Sequence, residues 1–249
     1  MSKLIEKLKK LAQGTPAPMG FRTSKEEESG GKILLLGRLK ADGAITAKID
    51  TGADAVLIYT GKDENVEDIQ KTAKALGDIP WGIYIEEDVD MMALVKAGCD
   101  FIVFSPTVKV NDLPQNEKIG KVLEVESSMD DGLLRAVNDL PVDAVIVTDT
   151  LDNDECLTMH RLMVYRHLAN FISKPLIAPV PENIGEAELK ALLDAEIDGV
   201  MAEGDNLKEL KKTIGKLPTR STKKRERGGV SLPRVGGETI ETPDEEDDE

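Results

Sequence analysis

Short apolar runs alternate with longer amphipathic stretches along most of this chain. The runs read ILLLG (33–37), AVLIYT (55–60), GIYIE (82–86), FIVFS (101–105), GKVLEV (120–125), AVIVT (144–148), PLIAPV (175–180) and GVMA (199–202). Runs this short and this apolar predict strands covered on both faces. Between them, residues 66–76, 91–97, 131–140, 154–172, 185–196 and 206–216 place apolar side chains at helical spacing, and a further helix is predicted over 42–51. Asp130 or Asp131 is a natural N-cap, and Gly98 a natural helix stop. The polar segment 106–118, which contains Pro114, predicts a short helix or a loop. Strands that alternate with helices imply parallel pairing.

A repeat sharpens this pattern. The phrases Ala53-Asp54-Ala55-Val56, Cys99-Asp100-Phe101-Ile102, Val142-Asp143-Ala144-Val145 and Ile197-Asp198-Gly199-Val200 each open an apolar run, and their aspartates lie 46, 43 and 55 residues apart. A unit of that length holds two strands and two helices, so four units predict an α/β fold of the (βα)8 TIM type. An open doubly wound sheet needs no fourfold repeat, and no G-x-G-x-x-G follows the first strand.

The chain then divides into three parts. Residues 1–31 are an N-terminal helix and lead-in. In the helix, Leu4, Ile5, Leu8 and Leu11 share one face and lysines cover the rest. Such a helix closes the bottom of a barrel or packs on its flank; a membrane-surface helix is the sharper alternative. Residues 32–217 are the barrel. Residues 218–249 hold 6 basic and then 9 mostly terminal acidic side chains around a small apolar island, VSLPRV. That composition predicts a disordered tail, solubilising or serving as a docking peptide for a protein partner.

Composition narrows the function classes. The net charge is −15 and aromatic residues make up 3% of the 249 residues, which disfavours nucleic acid. No apolar run approaches the roughly 20 residues of a transmembrane helix. Two cysteines, Cys99 and Cys156, give neither a disulfide framework nor a metal cluster. A cytoplasmic location is the default expectation.

Candidate chemistry follows from the register of the repeat, because barrel sites lie at the C-terminal strand ends. Five residues beyond each repeat aspartate come Tyr59, Ser105, Thr148 and Glu203; six beyond come Thr60, Pro106, Asp149 and Gly204. The odd strands add Arg38, Lys40, Glu86, Glu124 and Glu126, and Lys62 follows the second strand. Carboxylates therefore dominate the expected mouth, with basic residues after the first two strands. One reading is a divalent metal such as Mg²⁺ on Glu86, Glu126 and Asp149, with an anion held by Arg38, Lys40 or Lys62. A second reading makes Asp149, Glu126 and Lys62 the acid/base groups. Gly185, Gly204 and Asn206, after the seventh and eighth strands, are candidate phosphate-binding positions. His160 and His167 share a helix face and are read as structural.

The segment Ala97-Gly98-Cys99-Asp100-Phe101-Ile102-Val103-Phe104-Ser105-Pro106 resembles a strand phrase of the 2-keto-3-deoxy-6-phosphogluconate aldolases, and the alternation resembles the ribulose-phosphate-binding barrels. The resemblance implies a barrel acting on a small, phosphorylated metabolite. It also implies a Schiff-base lysine near the end of a later strand, and the fifth to eighth strands end without one. The expected function is a lyase or isomerase acting on a small anionic metabolite by carboxylate or metal-assisted chemistry. The alternative is a non-catalytic binding or scaffold barrel that acts through its tail.

Overall fold

The computed structural model describes residues 1–13, 32–41, 51–59, 66–85, 91–116, 118–148, 156–204 and 206–218. Eight parallel strands close into a barrel in chain order: β1 Leu34–Lys40, β2 Ala55–Tyr59, β3 Trp81–Ile85, β4 Phe101–Phe104, β5 Gly120–Glu126, β6 Ala144–Thr148, β7 Leu176–Pro179 and β8 Gly199–Glu203. β8 pairs back onto β1, with Leu34 opposite Gly199 and Arg38 opposite Glu203. The described helices are α1 Lys3–Gln13, α2 Val66–Leu76, α3 Met91–Lys96, α4 Asp131–Ala136, α5 Met159–Phe171, α6 Glu186–Asp194 and α7 Leu207–Lys216. The (βα)8 reading is therefore correct. The helix expected over 42–51 and the tail fall largely or wholly outside the described residues.

Local chemistry sets the element ends. β1 continues to Lys40, beyond the apolar run, because Arg38, Leu39 and Lys40 stay in register with Leu57, Ile58 and Tyr59. Asp130 caps α4 by accepting the Gly132 N–H at 2.8 Å. Thr158 caps α5 through the Arg161 N–H, so that helix starts at Met159. Gly98, at φ +89°, ends α3 in a Schellman turn, with Cys99 N–H on the Leu94 carbonyl. Between β4 and β5 the chain makes one short 3₁₀ turn, Val110–Asp112, in place of a full helix.

Strand alternation splits the apolar core in two. Outward-facing residues such as Val56, Ile58, Ile102, Val145 and Val200 pack under Ile69, Leu94, Leu168, Leu189 and Leu210 of the helices. Inward-facing residues, among them Leu34, Leu36, Leu57, Phe101, Val103, Val122, Ile146 and Ile177, form a separate cluster inside the barrel. Leu4, Ile5 and Leu8 of α1 belong to this inner cluster and are at most 1% exposed. The helix thus plugs the N-terminal end of the barrel, which selects the first of the two packing alternatives. Glycines make the seat: a Cβ at Gly120 would lie 2.6 Å from Ile5, and one at Gly199 would lie 3.6 Å from Leu8.

The four repeat aspartates ring this plugged end. Each donates its backbone N–H to the carbonyl of the preceding strand: Asp54 to Leu35, Asp100 to Trp81, Asp143 to Lys121 and Asp198 to Leu176. In three copies the carboxylate returns the bond, accepting the N–H of Leu35, Lys121 and Leu176 at 3.0–3.1 Å. These aspartates clip neighbouring strands together. The fourth, Asp100, accepts Ser2 Oγ at 2.7 Å, Lys3 N–H at 2.8 Å and Leu4 N–H at 2.9 Å instead. It caps the plug helix. Lys7 and Lys9 of α1 complete the seat on the Asp54 carbonyl and the Asp143 carboxylate.

Candidate functional site

The opposite, C-terminal end of the barrel is polar. Inward parity fixes which side chains reach it. On β6, Ala144 and Ile146 face inward, so Thr148 does too; on β8, Met201 and then Glu203 follow the same rule. The row five residues beyond the aspartates is therefore the row that faces the mouth. Asp149 stands one position out of that parity, and it lies outside the described residues together with Lys62 and Glu86.

Two tyrosine–glutamate bonds organise the mouth. Tyr59 OH on β2 donates to Glu203 Oε1 on β8 at 2.5 Å, reaching across β1. Tyr84 OH on β3 donates to Glu124 Oε2 on β5 at 2.5 Å, reaching across β4. The β2–β3 ladder pairs Leu57 with Gly82 and Ile58 with Ile83, so its next rung sets Tyr59 beside Tyr84. Adjacent strands are about 4.8 Å apart. The two tyrosines thus stand on adjacent strands and reach in opposite directions, each to a carboxylate two strands away. Arg38 joins the first pair: its guanidinium lies 4.3 Å from the centre of the Tyr59 ring and 3.7 Å from Glu203 Oε2. Lys40, at the end of β1, is in register with Tyr59. Arg38, Lys40, Tyr59, Tyr84, Glu124 and Glu203 make one polar belt from β8 round to β5. Thr148 Oγ1 is buried at the mouth and has no hydrogen-bond partner among the described residues.

The remaining candidates sit apart from this belt. Glu126 is exposed at the rim of β5 and receives a long 3.4 Å bond from Ser128 Oγ. Among the described residues, no group of three or more His, Cys, Asp or Glu side chains is placed to hold a metal ion. Of the trio assigned to Mg²⁺, only Glu126 is described. Gly185 caps α6, but its N–H already donates to Glu188 Oε2 at 2.8 Å. Gly204, at φ +104°, is faced by the Glu182 carboxylate, which would lie 3.0 Å from a Cβ there. Asn206 caps α7 through its backbone carbonyl. Acidic residues also occupy the first turns of both helices: Glu186 and Glu188 on α6, Glu209 on α7. They answer the helix dipoles that would otherwise attract a phosphate.

Other reactive groups belong to the scaffold. Burial pushes the Cys99 thiol up to about 12, and its Sγ donates to the Phe101 carbonyl. His167 bonds Asp131 at 3.0 Å and meets Phe171 edge-on, on the outer surface of α5.

Tyr84 was the least visible member of the belt, whereas Glu124 was already among the candidates of the odd strands. The aspartate register marks only even strands and gives no count to the mouth along β3 and β5. The signal available was parity: Tyr84 and Glu124 each stand two residues beyond an inward position, Gly82 and Val122.

The sequence matches no family model and no curated protein. Among solved structures the barrel is similar to the tryptophan synthase α-subunit of the hyperthermophile Pyrococcus furiosus. With one single-residue variant of that subunit the TM-score is 0.56 at 14% sequence identity, covering 74% of this chain and 96% of that one. With a second variant it is 0.53 at 14% identity, covering 73% and 96%. A structure of the subunit analysed together with calorimetry gives 0.54 at 12% identity, covering 74% and 96%. No described helix is long and apolar enough to cross a membrane. The chain is a (βα)8 barrel whose architecture is shared with these tryptophan synthase α-subunits.

Proposed function

We propose that the barrel mouth performs an acid–base reaction of the lyase or isomerase kind on a small anionic metabolite. The observation that carries this reading is the pair of tyrosine–glutamate bonds that start from adjacent strands. A carboxylate bonded to a phenol can act as a proton relay: the phenol swings its one proton from the glutamate to a developing oxyanion, and the freed glutamate takes a proton from the substrate. Glu124 with Tyr84 is assigned this acid–base role, and Glu203 with Tyr59 supports it from the neighbouring strand. Arg38 has donors left beyond its contact with Glu203, and with Lys40 it is assigned the substrate anion. The metal-assisted version adds Mg²⁺ at Glu126, with Asp149 and Glu86 as further ligands and Lys62 as a second anion anchor.

The chemistry after β7 and β8 favours a carboxylate over a phosphate as that anion. The Gly185 N–H is engaged, Glu182 faces Gly204, and the helix starts are acidic, so a dianion meets repulsion there. Sharing its barrel with the α-subunit of a synthase is compatible with catalysis, without identifying a substrate.

A thermal-shift screen of small carboxylates and sugar phosphates, with and without Mg²⁺, tests the reading. A ligand at 100 times its Kd stabilises the fold by about 2.7 kcal/mol. The expected hit is a carboxylate whose shift disappears in Arg38→Ala and persists, without turnover, in Glu124→Gln. A hit that binds both variants as well as the wild type places the ligand elsewhere and defeats the assignment.

A further inference from the structure

A second site is visible at the plugged end of the barrel, far from the mouth. A cleft of about 790 Å³ opens between the C-terminal ends of α2 and α3, the start of β3 and the first turn of α1. Its floor is apolar: Ile79, Pro80 and Trp81, the last only 5% exposed. Lys3, Lys74 and Lys96 stand around it. We propose that this cleft binds an organic anion with a flat apolar body, the body against Trp81 and the acid group on the three lysines.

Three observations carry the assignment. First, the lysines have no partner among the described residues. Lys7, Lys9, Lys71 and Lys211 each hold a carbonyl or a carboxylate, whereas none of Lys3, Lys74 and Lys96 makes an ion pair or a side-chain hydrogen bond. Three lysines without partners among the described residues line one cleft of a chain whose net charge is −15.

Second, helical position accounts for Lys74 and Lys96 only in part, and for Lys3 not at all. The last carbonyls of α2 and α3 are already met by backbone N–H groups, from Gly77 and Ile79 and from Gly98 and Cys99. Lys74 and Lys96 also answer the helix dipoles, but Lys3 lies in the first turn of α1, where a cation is unfavourable. Third, the acids lining the cleft do not cancel the lysines. The Asp100 carboxylate is oriented toward the start of α1 by Ser2, Lys3 and Leu4 hydroxyl and backbone donors, and with Asp78 it leaves the three lysines one positive charge in excess. A volume near 800 Å³ falls in the usual range for small-molecule sites, about 300–1,000 Å³.

Trp81 supplies the test, since it is the single tryptophan in the sequence. The full-length protein is titrated with 8-anilinonaphthalene-1-sulfonate, an aromatic anion, and the quenching of Trp81 emission is followed. The expected result is saturable quenching, weakened about tenfold or more in Lys74→Glu/Lys96→Glu and retained in Lys74→Arg/Lys96→Arg, as loss of charge-assisted bonds predicts. All four substitutions fall on exposed side chains, and unchanged urea midpoints check that the fold survives. Quenching that never saturates, or that is equal in the Glu and Arg variants, overturns the proposal. Loss of quenching in Arg38→Ala instead would assign the probe to the mouth and also overturn it; the mouth reaction stands or falls separately.

Discussion

The two ends of the barrel handle carboxylates in different ways. At the N-terminal end Asp54, Asp143 and Asp198 accept backbone N–H groups from neighbouring strands, and Asp100 accepts those of α1. At the C-terminal end Glu203 and Glu124 accept phenol groups, and an exposed guanidinium stands beside one of them. A carboxylate tied to backbone is fixed by the fold itself. One tied to a side-chain hydroxyl can exchange that partner for a ligand at little cost to the scaffold. The difference teaches where to look for stability and where to look for chemistry, and it yields a graded set of expectations.

The largest effect is expected at the plug. Leu8 is fully buried in the inner cluster, so Leu8→Ala should cost about 2–5 kcal/mol in urea unfolding. A cost below 1 kcal/mol, on the same order as a surface change, would mean that α1 is not part of the core. Next comes its cap. Asp100→Ala removes three hydrogen bonds at the start of α1 and should cost about 1–2 kcal/mol, with hydrogen exchange accelerating in residues 3–8. Uniform acceleration across all strands would instead make Asp100 a strand clip like the other three.

The αL position two residues before Asp198 offers a gain. Glu196 sits at φ +68°, where Gly52 and Gly98 stand in the matching places of other repeats. Glu196→Gly relieves that strain but gives up the 2.7 Å contact with Arg166. A net stabilisation of a few tenths to about 1 kcal/mol is expected, measured as a rise in the urea midpoint.

Cys99 adds a pH dependence to the same end. Its folded thiol titrates near 12 against 9.0 in an open chain, chiefly through desolvation. Between those values the folded state keeps a proton that the unfolded state releases, so stability falls as pH rises. Cys99→Ala should match the wild-type pH slope below pH 9 and be less steep above it. Parallel curves throughout would show that the thiol is not shielded. The smallest stability effect belongs to the mouth. Tyr84→Phe should change the unfolding free energy by less than about 1 kcal/mol while abolishing turnover. A loss comparable with that of Leu8→Ala would turn the Tyr84–Glu124 bond into a structural clip and erase the contrast between the ends.

These contrasts also explain what the sequence disclosed. All eight strands were legible because each contains a short, mostly apolar stretch, interrupted in β5 by Lys121 and Glu124. The plugged end was legible through its aspartates, since strand clipping demands one residue type at one register. The belt was legible only in part. Arg38, Lys40, Tyr59 and Glu203 were visible from strand ends and the repeat count. The Tyr84–Glu124 bond was not, because it spans a strand and 40 positions of sequence, and only closure of the barrel brings its ends together. The lysine-rimmed cleft was hidden for the same reason: Lys3, Lys74 and Lys96 come from three separate helices.

The bond between Ser2 and Asp100 has a consequence for how the protein is born. Its partners are 98 residues apart. At synthesis rates of about 5–20 residues per second, the first helix leaves the ribosome roughly 5–20 s before its anchor exists. Through that interval Leu4, Ile5 and Leu8 have no barrel to enter. The lysines of the same helix keep the waiting segment hydrated and mutually repelling between nascent chains. The basic face that dresses the finished base of the barrel is thus also what keeps the segment charged while it waits.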